Sequence, residues 1–339
     1  MSEPSLVSPF WLSNTMYGET VVFVQNVDRP AEAQLLFKPD RIVRVTDAAG
    51  TTDYLEGIDY AIVGAAGRMS LPEASRIGTL SEAELSAGDV DRVRERTICV
   101  TYDHTSDAGA WSPSVEGGPL PLVSDRLQRK QDLTICVLGD SISEGYDSSG
   151  FHSVMPHAPA YAQLVASAFE EHHGARVTLH NLAVAGSTAA DGIWQAERVR
   201  DTNPDLVIVA FGMNDACYAE APEFLANIQE LLRRVRIDAP QAEFVLVSPM
   251  LPTPACTWLD HRLFEGYRDA LSTITGTGIA FADVTRLWTW LCSRKSPYDL
   301  SGNGLNHPND FGHRLYAQTI LESLRTARRR VSTSDRPRT

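Results

Sequence analysis

A serine and a histidine with the setting of a nucleophile and its base stand at opposite ends of the second half of the chain. Ser141 lies in Gly139-Asp140-Ser141, directly after the apolar run TICVL at residues 134–138. A serine at a strand-to-helix turn exposes its hydroxyl and its backbone N–H. His307 precedes Pro308, which suits the first position of a final helix. The two residue types are those of a nucleophile and its base. Taken alone, however, the tripeptide is weak evidence, and a lone histidine is more often structural.

Two further residues could stabilise a developing negative charge. Gly186 follows the apolar run at residues 177–184, and a glycine there lets the backbone N–H approach an oxyanion closely. Asn214 follows the run at residues 206–211, and its side-chain amide could donate to the same oxyanion. Taken alone, a turn role explains Gly186 better and explains Asn214 equally well. Their order along the chain is what favours catalysis.

The elements that must position these residues are an alternation of strands and helices. Near-continuous apolar runs are typical of a parallel sheet covered on both faces. The alternation predicts a doubly wound α/β domain with five parallel strands over residues 126–330, in which reactive groups collect at the carboxyl ends of the strands. We predict strands at 134–138, 177–184, 206–211, 244–247 and 279–284, helices at 161–173, 192–200, 223–237, 259–274 and 308–328, and a disordered tail at 331–339.

The first part of the chain carries little helical signal. Short segments rich in β-branched and aromatic residues are separated by Gly, Asp and Pro, which predicts a smaller β-sandwich domain over residues 1–125. The predicted strands are 20–25, 34–37, 41–45, 60–63 and 97–102. Residues 81–91 are a short helix or a polar loop, and residues 108–122 read as a connector.

The four segments occur in the order and setting of the blocks of the SGNH (GDSL-like) hydrolases, which residues 130–325 resemble. The resemblance implies that Ser141 is the nucleophile and His307 its base. It implies an oxyanion hole made by the N–H groups of Ser141 and Gly186 and by the amide of Asn214. Asp140 would support the nucleophile turn rather than take part in the reaction.

The sequence departs from the family three residues before the histidine. The family carries an acid there, in an Asp-x-x-His pattern, whereas this chain has Gly304. Three explanations stay open: a Ser–His dyad with a backbone carbonyl on the imidazole, Asp299 as a displaced acid, or a weakened or inactive site. We favour the dyad and give Asp299 second place.

The two-domain layout resembles certain carbohydrate acetyl-esterases. We therefore expect a serine carboxylic ester hydrolase that removes a small, acetyl-like O-acyl group from a carbohydrate or another small molecule. Acyl transfer, thioester hydrolysis or lysophospholipid hydrolysis could use the same site, and a non-catalytic carbohydrate-binding relative is the other alternative. Tryptophans that could stack on sugar rings, unless they simply pack, are Trp111, Trp194, Trp258, Trp288 and Trp290; His152 and His157 could line the cleft.

Bulk composition limits the partners. The net charge of −13 lacks the basic face of a nucleic-acid-binding protein. Five scattered cysteines without Cys-x-x-Cys spacing are typical of free thiols in a reducing compartment. No secretory signal or membrane-length apolar run is recognisable, so we expect a cytoplasmic protein without a membrane partner. No phosphate loop, dinucleotide fingerprint or metal cluster occurs, so no cofactor or metal is expected.

Overall fold

The computed structural model describes residues 7–25, 31–64, 66–105, 111–113 and 117–334, with side chains up to residue 324 in the last helix. Within this part of the chain, no helix is long and apolar enough to cross a membrane.

Two three-stranded antiparallel sheets form the first part of the chain, where a β-sandwich was predicted. Their strands are β1 (Thr15–Val22), β2 (Glu32–Gln34), β3 (Arg41–Asp47), β4 (Ala61–Val63), β5 (Arg68–Ser70) and β6 (Thr97–Asp103). The orders are β1-β6-β3 and β2-β5-β4. Two short helices, α1 (Glu82–Ser86) and α2 (Val90–Arg96), begin at the capping side chains of Ser81 and Asp89. They occupy the segment for which the sequence left a helix or a loop open.

A five-stranded parallel sheet forms the second part, as the sequence predicted. Its order is β11-β10-β9-β7-β8, so the first strand of the sheet lies between the second and the third. The elements are α3 (Pro121–Gln128), β7 (Leu133–Gly139), α4 (Ser141–Glu144), α5 (Tyr161–His173), β8 (Val177–Asn181), α6 (Ala189–Ala196), β9 (Leu206–Ala210), α7 (Ala221–Asp238), β10 (Glu243–Val247), α8 (Leu263–Thr273), β11 (Ile279–Ala282), α9 (Val284–Cys292) and α10 (Asp310–Ser334). Short 3₁₀ turns cover Phe10–Leu12, Val199–Asp201, Asp215–Cys217 and Pro297–Leu300.

The central strands of this sheet are buried on both faces. Every residue of β9 and β10 is buried, which explains why these segments are almost entirely apolar. Burying one Leu, Val or Phe side chain contributes about 1.5–3 kcal/mol, so the sheet is a rigid base for the loops at its carboxyl edge. The strand order reverses around β7, and this reversal places a crevice at the carboxyl ends of β7 and β9.

Helices α3 and α9 were not predicted, and the last helix ends later than expected. Helix α3 occupies part of the predicted connector, and α9 buries Leu287, Trp288 and Leu291. The backbone of α10 stays helical to Ser334, where the sequence predicted an end near residue 328. Residues 335–339 lie outside the described residues, so the predicted disorder of the tail stays a prediction there.

A buried polar cluster joins the two parts of the chain. Lys295 Nζ lies 2.5 Å from Glu19 Oε1 in β1 and 3.4 Å from Asp299 Oδ2, and all three side chains are fully buried. The Glu19 carboxylate also accepts hydrogen bonds from the Tyr102 hydroxyl and the Leu36 N–H. Because a buried charge without a partner is costly, these groups fix how the N-terminal sheets sit against the hydrolase-like half.

Candidate active site

The nucleophile turn is built at the carboxyl end of β7. Asp140 caps the four-residue helix α4, and its Oδ1 accepts the N–H of Ile142 at 3.0 Å. Ser141 is the first residue of that helix and is 6% exposed. Burial raises the pKa of Asp140 to about 7. The structure thus places Asp140 at the N-cap of α4, directly before Ser141.

A compact loop ahead of α10 holds His307. The Asn303 Oδ1 accepts three backbone N–H groups, those of Leu305, Asn306 and His307, at 2.9, 3.1 and 3.3 Å. The His307 carbonyl accepts the Gly302 N–H at 2.9 Å. This hydrogen-bonded turn fixes the direction in which the imidazole leaves the backbone.

The structure brings Ser141 and His307 together and adds a carboxylate. Ser141 Oγ lies 2.9 Å from His307 Nε2, and Asp147 Oδ2 lies 3.1 Å from His307 Nδ1. The Asn303 Nδ2 is also 3.2 Å from Nδ1, but an amide nitrogen only donates, and it has a second acceptor in Asn306 Oδ1 at 3.2 Å. We assign the Nδ1 proton to the bond with the charged carboxylate, which is the stronger acceptor. In that tautomer Nε2 is free to accept the serine proton.

Asp147 stays ionised in spite of its burial. Its side chain is 5% exposed, and burial alone raises a carboxyl pKa. Hydrogen bonds and opposite charge from His307 and His152 outweigh this effect, so the pKa of Asp147 lies below its ordinary value. A carboxylate at Nδ1 orients the imidazole and stabilises the imidazolium that forms when the serine gives up its proton.

The acid position therefore differs from both expectations drawn from the sequence. Asp299 does not contact His307; its Oδ1 accepts the Val22 N–H at 2.7 Å and its Oδ2 faces Lys295 in the buried cluster. Burial raises the pKa of Asp299 to about 6. The favoured dyad with a backbone carbonyl is not what the structure has either, because Asp147 occupies that place. No motif pointed to Asp147, which lies six residues after the serine.

The structure also explains why this chain has Gly304 at the position where the family carries an acid. Gly304 has a φ of +77°, and a Cβ added there would lie 2.5 Å from the carbonyl oxygen of Leu85 in α1. Any L side chain at 304 would be strained and would collide with the N-terminal part of the chain. A carboxylate could not occupy the family position while the two parts pack in this way.

The two expected oxyanion donors lie in the loops on either side of the serine. Gly186 has a φ of +79°, in the left-handed region that favours glycine, and nothing lies within 4 Å of the Cβ position. The Asn214 Nδ2 donates one hydrogen to the Ser187 carbonyl at 2.9 Å, which orients the amide and leaves its second hydrogen available. A hydrogen bond also joins the Gly186 loop to the serine helix: the Ala185 N–H donates to Glu144 Oε2 at 2.8 Å.

Asp215, the residue after Asn214, links the two loops that carry the expected oxyanion donors. Its Oδ1 accepts the N–H of Ala189, the first residue of α6, at 2.9 Å. Its side chain is buried, and burial raises its pKa to about 6. The carboxyl group therefore joins the Asn214 turn to the helix that follows the Gly186 loop.

The histidines and tryptophans considered from the sequence fall into different environments. His152 contacts Asp147, with its Nε2 at 3.2 Å from Oδ1, whereas His157 is exposed. Trp288 is buried, and Trp111 and Trp290 pack against each other with ring centroids 5.4 Å apart. Trp194 and Trp258 are 69% and 55% exposed, in segments that follow β8 and β10 at the carboxyl edge of the sheet. Among the described residues, no group of three His, Cys, Asp or Glu side chains could hold a metal ion.

The chain is similar to one protein family and to several solved structures. The model of the GDSL-like lipase/acylhydrolase family matches residues 137–315, more than half of the chain. No curated protein matches the sequence. Similar solved structures include a two-domain esterase active on acetylated mannans (25% identity, TM-score 0.49, covering 63% of this chain and 56% of that one). They also include a carbohydrate esterase of family 3 from Talaromyces cellulolyticus (17%, 0.45, 58% and 99%) and a GDSL-like lipase from Parabacteroides merdae described as putative (16%, 0.48, 58% and 97%).

The match to the first of these structures spans little more than half of that protein's length. The residues that the family model matches include Ser141, Gly186, Asn214 and His307. The chain belongs to the GDSL-like lipase/acylhydrolase family.

Proposed function

We propose that this chain is a serine carboxylic ester hydrolase that works through Ser141, His307 and Asp147. The observation that carries the proposal is the continuous array from Ser141 Oγ to His307 Nε2 at 2.9 Å and from Nδ1 to Asp147 Oδ2 at 3.1 Å. A nucleophile, a base and an orienting carboxylate in hydrogen-bond contact are the arrangement that activates a serine.

The reaction would run in two halves. Ser141 Oγ attacks the acyl carbon while its proton passes to His307 Nε2, and the negative charge on the acyl oxygen is stabilised by the N–H groups of Ser141 and Gly186 and the free hydrogen of Asn214. The bond to the alcohol breaks, and the alcohol leaves with the proton from His307. Water then attacks the acyl-serine ester through the same base, which releases the carboxylic acid and restores Ser141.

A small acyl group on a carbohydrate or a similar polyol is the substrate that we propose. Exposed aromatic side chains lie in segments that follow three different strands at the carboxyl edge: Trp194, Tyr218 and Trp258, at 69%, 79% and 55% exposure. Aromatic rings on an open surface present flat apolar faces that a sugar ring can stack on. In this proposal, the alcohol part of an ester extends toward these side chains.

The test compares hydrolysis of p-nitrophenyl acetate, butyrate and octanoate by the wild type, Ser141→Ala and Ser143→Ala. Ser143 belongs to the same short helix, but its hydroxyl is buried and accepts the Tyr161 hydroxyl at 2.7 Å. We expect hydrolysis that is fastest on acetate, lost in Ser141→Ala and kept in Ser143→Ala. A fluorophosphonate should label the wild type and Ser143→Ala but not Ser141→Ala.

Other outcomes would select the alternatives. Preference for octanoate, or for a thioester of equal length, would favour a thioesterase or lysophospholipase. Faster release of the acyl group to added alcohols than to water would favour an acyltransferase. A wild type that hydrolyses no ester and takes no fluorophosphonate label would favour a non-catalytic binding protein and contradict the proposal.

A further inference from the structure

The carboxylate beside His307 is shared with a second histidine. Asp147 Oδ2 faces His307 Nδ1 at 3.1 Å, while Oδ1 faces His152 Nε2 at 3.2 Å. Among the residues that the structure describes, only these two imidazoles hydrogen-bond the Asp147 carboxylate. A carboxylate that is held by no backbone N–H depends on its side-chain partners for its rotation about the Cβ–Cγ bond.

We propose that His152 is a positioning residue: its Nε2–H binds Oδ1 of Asp147 and thereby keeps Oδ2 directed at Nδ1 of His307. The inference deepens the proposed function, on which it rests. Asp147 itself has a φ of +65°, a backbone conformation that L residues adopt rarely. The second imidazole fixes the rotation of the carboxylate about the Cβ–Cγ bond.

The location of His152 suits this role. The side chain is 27% exposed, against 5% for Asp147 and 16% for His307, so His152 is the most exposed of the three. A hydrogen bond anchors residues 148–152 near their start: the Ser149 N–H donates to Asp310 Oδ1 at 2.7 Å. The ring of His152 also packs edge-on against Phe151 at a centroid distance of 5.3 Å.

Charge on Asp147 links His152 to the base. A donor on Oδ1 takes up part of the carboxylate charge, so less of it acts on the imidazolium form of His307. Four other titratable groups act on this array. Asp140 interacts electrostatically with His307, the Tyr146 ring packs edge-on against the His307 ring at a centroid distance of 5.4 Å, and the buried His313 interacts electrostatically with Asp147, His307 and Asp310. Removal of the donor leaves the full carboxylate charge to act on His307.

The experiment replaces His152 by Phe, by Ala and by Gln in the full-length protein. Phe fills the volume without a donor, Ala removes both, and the Gln amide nitrogen lies three bonds from Cβ, as Nε2 of histidine does. His157→Phe is the matched control, because His157 lies in the same loop with an exposed side chain. The readouts are kcat and KM for p-nitrophenyl acetate across pH and the Nδ1–H proton resonance of His307 in ¹⁵N-histidine-labelled protein.

We expect His152→Phe and His152→Ala to lower kcat roughly tenfold, the effect of about one hydrogen bond to a charged group, with KM unchanged. The Nδ1–H resonance should broaden by exchange. Gln should restore most of kcat and the sharp resonance, and His157→Phe should match the wild type.

Two results would overturn the inference. One is an unchanged Nδ1–H resonance in both His152→Phe and His152→Ala. The other is a loss in His152→Gln as large as in Phe, which would assign His152 a packing role. The resonance is read without turnover, so an enzyme inactive on every ester would contradict the proposed function while still testing the role of His152.

Discussion

Replacing Asp147 by Asn tests whether this carboxylate, rather than Asp299, assists the histidine. An asparagine can keep both contacts, with its oxygen toward His307 and its amide toward His152, whose ring can accept in the other tautomer. The geometry is then kept and the charge is lost. The perturbation therefore measures the electrostatic contribution of Asp147 to the imidazolium.

The magnitude follows from the contact distance. With Asp147 Oδ2 at 3.1 Å from Nδ1, the carboxylate lies roughly 4 Å from the centre of the imidazolium charge. At an effective dielectric constant of about 20, that attraction is about 4 kcal/mol, which corresponds to roughly a thousandfold in rate. We expect kcat/KM of Asp147→Asn to fall by about that factor.

Asp299→Asn is the control. Asp299 contacts Val22 and Lys295 but not His307, so its loss should leave kcat/KM within roughly threefold and lower the free energy of unfolding by about 1–3 kcal/mol. The assay is p-nitrophenyl acetate hydrolysis at several pH values, with urea unfolding of each variant. A thousandfold loss in Asp299→Asn with little effect in Asp147→Asn would refute the assignment of the acid.

Three further predictions concern the oxyanion donor, the family acid position and the helix cap. Asn214→Ala should lower kcat by about 10²–10³ because it removes an oxyanion donor, and an unchanged kcat in steady-state assays would exclude the amide from the hole. Gly304→Asp should not rescue Asp147→Asn. It should instead lower the unfolding midpoint, because its Cβ meets the Leu85 carbonyl oxygen and its φ is +77°. Restored activity in that double variant would contradict this. Asp140 keeps its proton in the folded state up to a pH of about 7, whereas the unfolded chain releases it near 4, so this group stabilises the fold at low pH and loses that effect as the pH rises from 4 to 7. Asp140→Asn keeps the cap on Ile142 and should flatten the decline of the thermal midpoint between pH 4 and 7 by a few degrees; parallel curves would refute the cause.

Periodic elements with clear end signals could be predicted from the sequence. Helix α5 has the predicted bounds, Tyr161–His173, because its apolar pattern ends at Gly174, which has the left-handed conformation common at helix ends. The missed strand β5 has only three residues, Arg68–Ser70, and carries no alternation that a sequence pattern could reveal. Length and pattern therefore decided which elements could be found.

The site residues that follow a strand of the parallel sheet could be predicted from the sequence. Ser141, Gly186 and Asn214 stand at the carboxyl ends of β7, β8 and β9, and the fold brings His307 to Ser141 across 166 residues. Asp147 follows no strand directly, and its approach to His307 depends on the tertiary contact of its loop with Gly302. A Cβ at Gly302 would lie 2.5 Å from Cβ of Asp147. In the sequence, Gly302 and Gly304 are the residues that indicate close packing around the histidine loop.

The cluster of Glu19, Lys295 and Asp299 has a consequence for how the chain is made. Chains leave the ribosome from the N-terminus, and domains generally fold as they emerge. Glu19 belongs to the first strand, but its cation is made 276 residues later. Until then, burial of Glu19 would leave an uncompensated carboxylate, so the N-terminal sheets cannot reach their final packing early in synthesis. The two parts mature together, and the accessory sheets depend on the hydrolase half as much as Gly304 and its loop depend on them.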